Sequence, residues 1–139
     1  PPHMNPLTWQ ERLSIPFPSI DEEHKMLFDL INEFYQSLTT HNRTEQILNL
    51  FTQLRSYAQL HFENEETLML KHKYPRLDIH QVEHQLFIEK IDEFEKRYKN
   101  GRLFLTFEMT NYLKEWITHH VDIIDRDYSN FITNSTATE

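Results

Sequence analysis

The chain has 139 residues, enough for one domain with a substantial core, and carries a net charge of −8. That charge argues against nucleic acid as a partner, and no Lys/Arg cluster marks a membrane-surface binder. Cysteine is absent, which excludes disulfides and thiolate metal sites; no apolar run approaches the ~18 residues of a membrane span, and no secretory leader is visible, so a cytoplasmic protein is expected.

Helix breakers are sparse. The single glycine is Gly101, and proline occurs at positions 1, 2, 6, 16, 18 and 75. The runs between them favour helices. Pro1-Pro2-His3 reads as a cloning remnant before a native start at Met4. Residues 4–18 read as an irregular arm, because Pro6, Pro16 and Pro18 oppose a helix. Leu7, Trp9, Leu13, Ile15 and Phe17 should pack that arm along the body. Ser19 and Glu22 form a capping-box pattern for a first helix over about 20 to 38. Its apolar stripe is Ile20, Leu27, Phe28, Ile31, Phe34, Tyr35 and Leu38, and it includes His24.

A polar turn, 39–43, leads to a second helix over about 44 to 72. Its inward face runs through Leu54, Ala58, His61, Phe62, Glu65, Leu68 and Met69. Glu66 is rotated about 100° from Glu65 and should be solvated. Tyr74-Pro75 stops this helix. A third, over about 77 to 99, carries Leu77, His80, His84, Phe87, Ile88, Ile91, Phe94 and Tyr98 on one face. Asn100-Gly101 ends it, with Gly101 suited to a left-handed cap. A fourth, over about 103 to 132, is apolar through Met109, Tyr112, Leu113, Trp116, Ile117, Val121, Ile124, Tyr128 and Phe131, with His120 and Asp125 on that side. Residues 133–139 read as a frayed polar tail. The expectation is one all-α domain over residues 1–139. Its core, residues 19–132, is an antiparallel up-down-up-down four-helix bundle behind the irregular N-terminal arm.

That topology puts the starts of the first and third helices beside the ends of the second and fourth. His24, His61, Glu65, His80, His84, His120 and Asp125 then fall in one layer of the core, on the order of 10–15 Å thick. Any one of them alone is explained by ordinary burial with a hydrogen-bond partner. Together, five imidazoles and two carboxylates at one depth cannot satisfy one another cheaply. A metal would pair them. His3, His41, His72 and His119 lie off this layer and should be solvated. Imidazole suits zinc, copper, iron or nickel, and carboxylates suit harder ions. Seven ligands exceed one tetrahedral zinc and fit two ions bridged by the carboxylates.

These residues resemble the hemerythrin family, bacterial members above all. The matching motifs are Asp21-Glu22-Glu23-His24-Lys25, His61-Phe62 with Glu65-Glu66 and Met69, His80 to His84, and Trp116-Ile117 through His120 to Asp125 and Tyr128. They span all four helices. The resemblance implies the same up-down-up-down bundle. The resemblance implies a pair of non-haem irons (Fe2+/Fe3+) with an oxo or hydroxo bridge. His80, His84 and His120 would hold one iron, His24 and His61 the other, and Glu65 and Asp125 would bridge them. The first iron is then closed and the second keeps one open position, where O2 binds and leaves reversibly. Phe62, Trp116 and Ile117 match family positions that wall the O2 pocket; Met69 and Tyr128 match as packing positions. Two departures stand out. The His24-to-His61 stretch is longer than in the invertebrate carriers, and Ile117 replaces their usual leucine.

The function expected on this basis is O2 binding for storage, delivery or sensing, without catalysis. Other small ligands such as azide or nitric oxide fit the same position. An electron donor or an O2-consuming enzyme would be the protein partners. The competing readings are a di-iron redox enzyme acting on peroxide or nitric oxide, and a sensor domain cut from a signalling protein. Di-iron enzymes of the ferritin-like type are carboxylate-rich with Glu-x-x-His pairs, whereas this set is rich in histidine.

Overall fold

The computed structural model describes residues 8–10, 13–39, 44–101 and 105–137. Helix α1 is Pro18–Thr39, α2 is Thr44–Lys71 and α3 is Leu77–Lys99. The fourth rod is α4, Leu105–His119, then a π-helical turn, His120–Ile124, then α5, Asp125–Ala137. α1 packs on α2 and α4, and α3 packs on α2 and α4, which closes a four-helix bundle. There is no strand among the described residues, and no helix there is long and apolar enough to cross a membrane.

The helix ends differ from expectation in instructive ways. α1 begins one residue before Ser19. Pro18 takes the first helical position, where its missing N–H is no loss and its fixed φ is already helical. The carbonyl of Phe17 accepts from the N–H groups of Ile20 and Asp21 at 3.0 and 3.1 Å. Asp21 turns back to the arm instead, accepting from Ser14 Oγ and from the Ile15 N–H. That contact, with buried Leu13 and Ile15, ties the described part of the arm to the bundle.

α2 stops ahead of Pro75. Lys73 adopts φ 55°, its N–H bonds Leu70 O at 3.1 Å, and the Tyr74 N–H reaches back to Met69 O at 2.9 Å. This pair of bonds is a Schellman motif with a lysine at the left-handed position. Tyr74 and Met69 then pack together, the apolar contact that accompanies the motif. Gly101 takes φ 82° after α3, as its conformational freedom allows. α5 continues to Ala137, past the expected tail boundary at 132, because no glycine or proline interrupts it.

Two apolar clusters fill the bundle. The larger runs from Phe34, Phe51 and Phe94 to Leu27, Ala58, Phe62, Phe87, Ile117 and Val121. The smaller joins Ile15, Ile20, Met69, Tyr74, Tyr128 and Ile132 at the opposite end. Every rod passes from one cluster to the other, and in between each contributes one or two polar side chains. The result is a polar layer sandwiched by two dry ones.

Candidate metal centre

α2 contributes His61 and Glu65, four residues apart and therefore on one helix face. α3 contributes His80 and His84 by the same spacing. α1 contributes His24, between Ile20 and Leu27 on its buried stripe. All five are at most 3% exposed.

The fourth rod faces a harder problem. His120 and Asp125 are five residues apart, which on a regular helix sets them about 140° apart. The π-turn resolves this. Its wider hydrogen bonding, with the Asp125 N–H donating to His120 O, absorbs one extra residue and brings both side chains inward. His120 Nε2 then lies 3.0 Å from Asp125 Oδ1. The sequence reading placed both residues inward on a regular helix; their burial is as expected, the backbone that achieves it is not.

Within the layer, His24 Nε2 is 2.7 Å from Asp125 Oδ2, and His61 Nε2 is 2.5 Å from Glu65 Oε1. His120 Nε2 is 3.1 Å from Glu65 Oε1, and His84 Nε2 is 4.0 Å from it. The ion-pair partners of both carboxylates, among the described residues, are imidazoles. Two groups of donor atoms converge: His24, His61, Glu65 and Asp125 in one, and Glu65, His84 and His120 in the other. Glu65 belongs to both. His80 is in neither group; its ring lies 5.8 Å from His84 and 6.1 Å from His120, centroid to centroid.

Despite these short distances, His24 Nε2, His61 Nε2, His84 Nε2, Glu65 Oε2 and both Asp125 oxygens make no hydrogen bond. A buried polar atom left so costs about 1–3 kcal/mol, more when charged. Six such atoms at one point are the signature of a site built for cations, and nitrogen and oxygen donors suit iron.

Electrostatics agree. Burial opposes a charge on His61, but Glu65 and Glu23 outweigh it and lift its pKa to about 9. His120 is likewise driven well above the usual imidazole range, against burial, by Asp125 and Glu65. Glu65 resists its burial through His61 and His120, which hold its pKa well below normal. Burial dominates at His80, which falls to about 4, and at His84, which is also lowered. Without metal, protons on His61 and His120 therefore do part of a cation's work.

The supporting roles of three residues escaped the sequence reading. Glu23 Oε1 lies 2.8 Å from His61 Nδ1 and is itself held by Asn64 Nδ2 at 2.6 Å. Glu66, expected in solvent, is half-buried and bonds His84 Nδ1 at 2.8 Å. Such carboxylates fix the ring so that Nε2 faces the metal. The available signal was general: a metal-binding imidazole needs an acceptor for its second nitrogen.

The three residues expected to wall an O2 pocket all lie in the described part of the fourth rod and α2. Phe62 stacks on His84 at 3.9 Å and 3°. Trp116 stacks on His120 at 4.6 Å and 12°. Ile117 is fully buried in the larger cluster. From the arm, Trp9 stacks over His24 at 6.3 Å. Of the histidines expected in solvent, His119 is exposed and His72 half-buried, while His3 and His41 lie outside the described residues.

Comparison with known proteins follows the same lines. Residues 16–132 match the family model described as the hemerythrin HHE cation-binding domain. The chain belongs to the hemerythrin family. It is 29% identical to the bacteriohemerythrin of Clostridium acetobutylicum over 126 residues, covering 86% of this chain and 96% of that one. Bacteriohemerythrin of Methylococcus capsulatus is 29% identical over 108 residues, 78% of this chain and 82% of its own. A hemerythrin from Sipunculus nudus is 25% identical over 131 residues, 94% and 98% respectively. A crystal structure of wild-type hemerythrin superposes with a TM-score of 0.78 at 26% identity, covering 89% of this chain and 95% of that one. As a hemerythrin, this chain has the bundle the family requires, and the polar layer lies within the matched residues.

Proposed function

We propose that this hemerythrin binds O2 reversibly at two irons held in the polar layer, for oxygen storage, delivery or sensing. The observation that carries the proposal is the pair of buried donor groups sharing Glu65, with their facing atoms left without hydrogen bonds. His24 and His61 would hold one iron. His84 and His120 would hold the other, with His80 completing it. Glu65 and Asp125 would bridge, and an oxo or hydroxo group would join the pair. When bound, the irons supply the electrons and one open coordination position for O2.

The chain's own residues do the rest. Glu23 and Glu66 orient His61 and His84. Phe62, Trp116 and Ile117 exclude water and protons, which favours release of intact O2 over irreversible oxidation. Five histidines with two carboxylates would fill the coordination of one iron and leave little room for a second reactant. That supports carriage rather than catalysis.

The test is iron content with the visible spectrum, after anaerobic reduction and again with O2. Two irons per chain, a colourless reduced form and a coloured O2 form that bleaches when O2 is removed are expected. Immediate irreversible oxidation would overturn carriage and favour a redox enzyme; peroxide and nitric oxide turnover would then be assayed.

A further inference from the structure

His61 and His84 each have a glutamate on Nδ1; His80 does not. Its Nδ1 is buried without a protein hydrogen-bond partner. One turn further along α3, the half-buried Glu83 has the same defect at Oε2. Both residues line one cavity of about 110 Å³ with Tyr74, Arg76, Ile124 and Asp127. The cavity reaches the surface at the exposed Arg76–Asp127 ion pair, 3.1 Å apart.

Two buried orphans in one small polar cavity are hard to explain separately. A donor and an acceptor on the same wall, with room for water, are what an ordered bridging water needs. If Nε2 of His80 faces the metal, Nδ1 carries the proton and donates. Glu83 Oε2 can only accept when ionised. A water between them would satisfy both atoms. The larger groove on the α2–α3 face, about 310 Å³, meets the layer at Phe62 and His84, but there Glu66 already occupies Nδ1.

We infer that Glu83 is a positioning residue for His80, acting through a water bound in this cavity. This rests on the iron-centre reading. It makes His80 a ligand held through solvent-exchangeable contacts.

The experiment follows iron release from the reduced, iron-loaded protein to bathophenanthroline disulfonate. Glu83→Leu should release one of the two irons about tenfold faster or more. Glu83→Gln should stay near the parent rate, because its amide oxygen still accepts from the water. Glu66→Leu serves as the control for a directly bonded partner, and exposed Glu89→Leu as the control for lost surface charge. A second readout is the iron-shifted Nδ1–H proton signals of the histidines. The His80 signal should exchange with D2O faster than those of His61 and His84, and Glu83→Leu should shift it alone. Parent-rate release in Glu83→Leu beside accelerated release in Glu66→Leu overturns the inference and leaves the iron centre standing. A parent protein that holds no iron removes both.

Discussion

α2 and the fourth rod each deliver a histidine and a carboxylate to the same layer, by different means. α2 does it with a four-residue spacing on an uninterrupted helix, His61 to Glu65. The fourth rod does it with a five-residue spacing and a π-turn, His120 to Asp125. The first solution is implicit in helix geometry. The second departs from local preference, since π-turns are rare and persist where a site needs them. The difference shows which half of the centre is carried by helical propensity and which by tertiary demand.

The comparison can be broken most severely on α2. His61→Ala should cost one iron and all O2 binding, measured by iron analysis and the O2-dependent spectrum. A variant that keeps full O2 binding would remove His61 from the centre. Glu23→Ala sharpens the point by touching only the support of that ligand. Iron affinity should fall about 10–100-fold while the helix content measured by circular dichroism is unchanged.

Protonation gives the next effect. In the metal-free chain the His61 pKa is raised to about 9. A raised imidazole pKa adds stability that is fully present below its ordinary value of about 6.5 and lost as pH rises through the folded value. Calorimetry of metal-free protein should therefore show Tm falling between pH 7 and 10. The iron-loaded protein should lack this fall, since metal takes the place of the protons, and loading at pH 7 should release protons to an indicator dye. Equal profiles would mean the imidazoles do not stand in for the cation.

Smaller still is the backbone of the fourth rod. Deleting Asp122 removes the extra residue and restores a regular helix, with the carboxylate now four residues after His120. Metal-free Tm should rise by a few degrees, about 1 kcal/mol in a domain of this size. No rise would show that the π-turn is not a local cost. The least effect is remote from the layer: Lys73→Gly relieves the left-handed lysine and should stabilise by about 1 kcal/mol in urea unfolding.

Helices were legible because breakers are few and apolar periodicity is strong, and the layer was legible because His24, His61, Glu65, His80 and His84 interrupt apolar stripes. Two local readings failed for identifiable reasons. Ser19 offered a good cap, but Pro18 is better suited to the first helical position. Glu66 looked solvated because a 100° rotation leaves one helix face, yet in a bundle that rotation points toward the neighbouring helix and His84.

The amino-acid sequence alone determined the four helices, the family and the residues that line one depth of the core, since these follow from period, spacing and side-chain chemistry within each segment. The tertiary structure decided the rest: the π-turn behind His120 and Asp125, the glutamates on His61 and His84, and the exclusion of His80 from both donor groups. Those depend on how four rods rotate against one another when two apolar clusters close around a polar layer, and no single segment contains that information.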